Sequence, residues 1–326
     1  MKQKLLSLLA CTAILSACGT EEETPTPTPS AAPQDLRRTF PTPPTNAVTL
    51  YTPEMIIPAG EDRMFCYFQT FTDDDAGIVA VTSYQSNYGH HSVLLVSNAD
   101  NETYPDGQLF DCTAKNSLPM TQVEPVIVGG NAEPDEQGFV NTFRLPTELG
   151  TMAALLRQGK RMVVQSHYLN TSTRDILVRD AVFLEMVPED SVEIWAAAFV
   201  QNNDEFSIPP NTPEYSVSSE YTFEQDLNVL YITGHMHEWG KRYDVSLTHE
   251  GETGTIYEVP KWDPYFRDNP YYVEFNLGTF KFMTGDTIKS TCTWFSDRDT
   301  ALEFPDEMCS TVTMVYPTKV PIIVGP

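Results

Sequence analysis

Histidine, cysteine and basic residues are all scarce in this chain of 326 residues: six His, six Cys, and 20 Lys plus Arg against 45 Asp plus Glu. The resulting formal charge of −25 argues against nucleic acid and against anionic membrane surfaces as partners, because both require a basic face. No Cys-x-x-Cys spacing occurs, which argues against a zinc knuckle and against a thioredoxin-type redox motif. After residue 18 no apolar run approaches the roughly 18–20 residues needed to cross a bilayer. Convincing helical periodicity is also missing. The one helix expectation is TELGTMAALLRQG, residues 147–159, where apolar residues cluster and Gly159 supplies a stop.

The N-terminus has the build of a bacterial export signal. In MKQKLLSLLACTAILSAC, Lys2 and Lys4 precede an apolar stretch, and the segment ends in LSAC at Cys18. LSAC resembles a lipoprotein box, which implies that Cys18 is lipidated and becomes the mature terminus. The expectation is therefore an exported protein, lipid-anchored to a bacterial membrane and facing the periplasm or the exterior. Residues 19–46 are acidic and then Pro/Thr-rich, and read as an extended tether. The remainder is read as two domains, 47–189 and 190–326, with a soft boundary near Pro188–Ser191.

Those domains are expected to be all-β. RMFCYFQTF, GIVAVTSYQ, HSVLLVSN, RMVVQSHYL, NVLYITGHMH, YDVSLTHEG and DTIKSTCTWF are short and rich in Val, Ile, Tyr, Phe and Thr, with Gly, Pro, Asn and Asp between them. LTHEGETGTIYEV reads as a hairpin built on two glycines. Many short strands at regular spacing point to tandem β-sandwiches or jelly rolls. Outside the signal remain Cys66, Cys112, Cys292 and Cys309; an even count in an exported chain implies disulfides. Nearest-neighbour pairing, Cys66–Cys112 and Cys292–Cys309, would place one in each half.

Four of the six histidines form two close pairs, His90–His91 and His235–His237. Side chains two apart on a strand share a face, so His235 and His237 converge. Adjacent residues diverge, so His90 and His91 meet only if the backbone leaves the pleat. Asn87 and Gly89, just before them, mark where a bulge is easiest. With His167 the first half can offer an all-imidazole metal site. The second half needs a third ligand, for which Glu238, Glu307, Met308 and a cysteine are candidates. A thioether beside two imidazoles would favour copper, because sulfur suits the reduced ion. His249 reads as a surface turn residue without a metal role.

YGHHSVLL, VVQSHYLN, GHMHEWGK and DEMCSTVTMVY, in this order, resemble the copper type II, ascorbate-dependent monooxygenases, the family of peptidylglycine α-hydroxylating and dopamine β-monooxygenases. The resemblance spans about residues 50–317. It implies two jelly-roll domains facing a copper-lined cleft, with two copper ions per chain. His90, His91 and His167 would hold an electron-storing copper. His235, His237 and Met308 would hold the catalytic copper, where O2 is used to hydroxylate a C–H bond of a small organic substrate, with ascorbate or another one-electron donor as reductant. The family's disulfide pairing agrees with Cys66–Cys112 and Cys292–Cys309. Gln165, Tyr168, Glu238 and Tyr88 are candidates for orienting the rings.

Departures bear on the substrate. Thr233 stands where peptide-amidating members carry arginine, and Ser310 and Val312 stand where they carry asparagine and tyrosine. This argues against glycine-extended peptides and for a more apolar cleft, with Met314, Trp239 and Trp294 as possible walls, core packing being the other reading of both tryptophans. The alternatives are an exported copper-binding protein without turnover, and a carbohydrate- or protein-binding β-sandwich whose histidines are incidental.

Overall fold

The run RMVVQSHYL forms the strand Arg161–Leu169, and all but two of its residues are buried. It is covered on both faces, which is why it reads as a nearly continuous apolar stretch rather than an alternation. The strand is central to a five-stranded sheet in the order Leu109–Asp111, Asp62–Thr70, Arg161–Leu169, Gly89–Ser97, Val123–Pro125. This computed structural model describes residues 32–99, 101–113, 123–125, 132–267, 269–304 and 306–325. The export signal with Cys18, and the tether as far as residue 31, lie outside the described residues.

The chain is all-β: apart from two 3-10 turns, every described element is a strand. A seven-stranded sheet faces the five-stranded one, built around Ala76–Ser86, with Gly138–Arg144 on one side and Ala181–Pro188 on the other. Leu50, Ile78, Leu156, Met162, Val164 and Leu184 fill the space between the two sheets. Full burial of each such side chain contributes about 1.5–3 kcal/mol. In the second half, a six-stranded sheet centred on Leu227–His235 and Cys309–Tyr316 packs on a four-stranded sheet of Tyr215–Thr222, Thr287–Trp294, Gly240–His249 and Glu252–Val259. Phe199, Phe223, Ile232, Tyr243, Phe282 and Trp294 form that core. The first core continues into the second half through Ala198, Leu230, Tyr231, Met314 and Tyr316, so the two sandwiches share apolar packing.

Cys66 is bonded to Cys112 and Cys292 to Cys309. The second bridge joins the four-stranded sheet to the six-stranded one, and fixes the strand that begins immediately after Met308. The expected hairpin closes at Glu250 and Gly251, both with positive φ (51° and 86°), as a two-residue turn requires.

Three expectations are corrected. Residues 147–159 are not helical: Met152–Leu156 is a strand, antiparallel to Ala76–Ile78 and parallel to Ile194–Trp195. Four of its five residues are buried, and such a run carries neither a strand nor a helix period. The strand ends at Leu156, and Gly159 lies in the turn that follows it, with φ +79°. The tether stops earlier than 46, because Gln34–Asp35 pairs with Ile176–Leu177 and Arg38 is buried. The Arg38 guanidinium donates to the carbonyls of Gln85 and Phe139 and to Asp135, which gives the extended segment a reason to dock. The change of sheet falls after Trp195, not at 189, since Ile194–Trp195 still pairs with the first half.

Candidate metal centres

His91 and His167 are direct cross-strand partners, and so project from the same face. The next pair in the ladder is Tyr168 with Gly89, which leaves His90 as the extra residue of a β-bulge. That single insertion turns His90 to the side of its neighbour. Local backbone makes it possible: Tyr88 has φ +67°, and a side chain at Gly89 would meet the Gln85 Cβ at 2.8 Å. The three rings lie with centroids 4.8–5.8 Å apart. Nitrogens of His90, His91 and His167 lie within 4.8 Å of one another, and the Nδ1 atoms of His90 and His167 are 3.3 Å apart. Two nitrogens each about 2.0–2.1 Å from one ion are at most about 4.2 Å apart, so ligation asks only for small side-chain adjustments.

The other ring nitrogen of His167, Nε2, is hydrogen-bonded to Asp62 Oδ1 at 2.5 Å. That bond is the main reason the Asp62 carboxyl is held below its usual range; Arg267 of the second half adds to the effect. Behind the site, Gln85 Nε2 donates to the carbonyls of His91 (2.9 Å) and His167 (3.4 Å), tying both strands together. The buried Tyr168 hydroxyl donates to Asp180 and accepts from the Ser86 N–H. Burial pushes the Asp180 carboxyl upward in spite of these donors. An open cavity of about 470 Å³ adjoins His90, walled by Leu36, Tyr88, Phe139 and Leu169.

In the second half the strand Leu227–His235 ends at the first histidine of the pair; His235 and His237 are half-buried while Met236 between them is fully buried. Their ring centroids are 5.1 Å apart. Gly234 precedes them because a side chain there would meet the Tyr243 ring at 2.5 Å. His235 pairs with Ser310, the last pair of that ladder, and beyond it the backbone N–H groups of His237 and Met308 both point at one oxygen of Glu307. Met308 is half-buried.

Glu307 holds this arrangement. Its fully buried carboxylate accepts from the backbone N–H of His237 (2.9 Å), Trp239 (2.6 Å) and Met308 (3.3 Å) and from the Trp294 indole (2.8 Å). Desolvation pushes its carboxyl up to about 7, while the four donors pull the other way. His237 Nδ1 lies 3.2 Å from the Asp306 carbonyl, and donating there leaves Nε2 as its lone-pair nitrogen. Trp262 donates to the His237 carbonyl.

Other sequence candidates fall elsewhere. Glu238 is exposed, Glu307 spends both oxygens on N–H donors, and the cysteines are bridged. Trp294 and Met314 are completely buried, so they are core and not open walls; Trp294 stacks on Phe206 and Met314 packs where the sandwiches meet. Trp239 is half-buried, with the Arg298 guanidinium over its ring. Thr233 is buried and donates to the Tyr271 carbonyl. His249 sits at the hairpin, 2.7 Å from Asp286. Sequence reasoning missed Asp62 and Gln85, whose contacts to the site cannot be seen from neighbouring positions, and gave Glu307 only as a possible ligand.

No family model matches the chain, and no curated protein matches it. Among solved structures, it is similar to PNGase F, a glycosylasparaginase from Flavobacterium meningosepticum, with 11% identity, 86% of this chain and 98% of that one covered, and a TM-score of 0.39. The infectious bursal disease virus VP2 subviral particle follows at 10% identity, coverage of 91% and 76%, and TM-score 0.22. A putative secreted protein from Eubacterium rectale has 10% identity, coverage of 80% and 70%, and TM-score 0.19. None of these likenesses is close enough to bear on what the chain does.

Proposed function

We propose that this protein is an exported, copper-dependent monooxygenase that hydroxylates an activated C–H bond of a small organic substrate, using O2 and an ascorbate-like reductant. The observation that carries the reading is the bulge that turns His90 onto the face shared by His91 and His167. A regular ladder would separate the adjacent pair, and an incidental pair would need no such device. The donor sets fit copper: three imidazoles in one half, two imidazoles and a thioether in the other. His90, His91 and His167 would hold one ion, and His235, His237 and Met308 the other. Bound copper would supply one-electron redox chemistry and oxygen activation.

The chain's own residues prepare both places. Asp62 fixes the His167 ring and its tautomer, as a carboxylate behind a ligating histidine does. Gln85 keeps the strands of His91 and His167 in register at the bulge. Glu307 sets the backbone of His237 and Met308 relative to each other, and the Cys292–Cys309 bridge anchors the strand that follows. No described helix is long and apolar enough to cross a membrane, and two disulfides fit an exported protein. Attachment through a lipid on Cys18 completes the proposal.

The test is metal content and Cu(II) paramagnetic resonance on the protein lacking residues 1–18, together with ascorbate-driven oxygen uptake. Two coppers per chain and uptake that requires both sites are expected. Met308→Ala is expected to weaken Cu(I) in the second half and abolish product, and His167→Ala to stop turnover while sparing the second site. Tight copper without oxygen uptake would instead indicate a copper-binding protein without turnover, and no copper after dialysis would end both readings.

A further inference from the structure

A second cavity, of about 290 Å³, lies where the chain passes from one sandwich to the other, with Val96, Ala154 and Ala196 among its apolar walls. Arg157, Lys160 and Lys319 are the charged residues that line it. In a chain with 45 acidic and 20 basic residues, a cavity whose charged wall residues are all cations departs from the composition around it. The carboxylates paired with Arg157 and Lys319 do not line the cavity: Asp75 is 3.5 Å from Arg157, and Glu189 is 2.8 Å from Lys319. Lys160 donates to the neutral Asn98 amide oxygen. Three cations thus share two carboxylates, leaving the rim with one positive charge in excess of these partners.

The site is distant from the histidines. Val96 stands six residues beyond His90 on the strand Gly89–Ser97, about 20 Å at the rise of an extended strand. Lys160 stands seven residues before His167, a similar distance again. An apolar base under a cationic rim is complementary to an anionic head on a hydrocarbon tail. The volume is at the lower end of small-ligand cavities, which limits the tail to one of modest length, well short of a membrane lipid's. Arg157 can hold a carboxylate through two parallel N–H donors, and the two lysines add point charges.

We propose that this cavity binds a medium-chain aliphatic carboxylate, with its hydrocarbon against Val96, Ala154 and Ala196 and its head between Arg157, Lys160 and Lys319. The ligand touches the strand Met152–Leu156 of the first sandwich and Ala197 and Lys319 of the second half, so it bridges the two. This is independent of the copper reading.

Lys319 provides a reporter, because its ammonium sits 4.6 Å over the Trp195 ring. Titration calorimetry of the protein with octanoate is expected to show one saturable site, accompanied by a change in Trp195 fluorescence that Trp195→Phe removes. Octylammonium, with the same tail and the opposite charge, is expected to be silent, and acetate, with the head alone, to bind far more weakly. Lys160→Met and Lys319→Met are each expected to weaken octanoate by about tenfold, the loss of one charge-assisted contact, with unchanged thermal midpoints. Ala154→Leu, which fills the base and leaves the rim, is expected to abolish binding. Equal binding of octylammonium, lysine variants with undiminished affinity, or no saturable octanoate site would overturn the proposal.

Discussion

Replacing Glu307 by Gln keeps the volume of the side chain and removes one acceptor, so it tests whether this carboxylate organises the His237–Met308 region. Oε2 serves three donors, the N–H groups of His237 and Met308 and the Trp294 indole, while Oε1 serves the Trp239 N–H. A glutamine does best by putting its carbonyl oxygen at the Oε2 position, which leaves its NH2 against the Trp239 N–H. One charge-assisted bond is then lost, worth about 1.5–3 kcal/mol, and a buried donor is left facing another donor. The three remaining bonds weaken as the acceptor becomes neutral. Relief from burying a charge offsets part of this, so a net loss of about 3 kcal/mol is expected. Urea denaturation of metal-free protein, at a pH above the raised value of about 7 so that the carboxyl is ionised, measures it directly. Cu(I) affinity in the second half is expected to fall while the three-histidine site keeps its own. A stability change under about 0.5 kcal/mol, the range of an ordinary surface substitution, would refute the assignment of Glu307 as the residue that holds the region together.

Replacing both Cys292 and Cys309 by Ala opens a link between positions 17 apart, and is expected to cost about 3 kcal/mol in the same assay, more than a surface pair would. The His249 pKa is raised, first by its hydrogen bond to Asp286. A raised folded value means that the contact stabilises fully below the unfolded histidine pKa and is lost as pH rises through the folded one. Thermal midpoints of wild type and His249→Gln are accordingly expected to differ most near pH 5, below the ordinary histidine value, and to draw together as pH rises through the folded one; a gap that widens with pH would reverse the sign and sink this account.

The strands and the hairpin were readable because β-branched and aromatic runs between turn residues leave few alternatives, and Glu250–Gly251 supply the positive φ such a turn needs. His235 and His237 do lie close, with ring centroids 5.1 Å apart, although the strand whose period of two suggested it ends at His235. The adjacent histidines required a departure from the pleat, and the bulge falls beside Gly89, one of the two residues that suggested it. Met152–Leu156 was misread as helix because burial on both faces erases the period that distinguishes the two. Trp294 was open between cleft wall and core packing and Met314 was a possible wall, because the sequence around a buried tryptophan or methionine looks the same as around an exposed one; both are core. Asp62 meets His167 across 105 positions, and Glu307 meets His237 across 70; such contacts depend on strand order, which local pattern does not encode.

The three-imidazole cluster depends on one surplus residue in one strand. Losing a single codon between the Ala76–Ser86 strand and His90 would let the ladder close without interruption, and the two adjacent rings would then point to opposite sides of the sheet. Such a change would leave nearly every apolar contact of the sandwich in place. A descendant of this protein could thus forfeit the cluster while remaining as well folded as its parent, and aligned histidines alone would not reveal the loss.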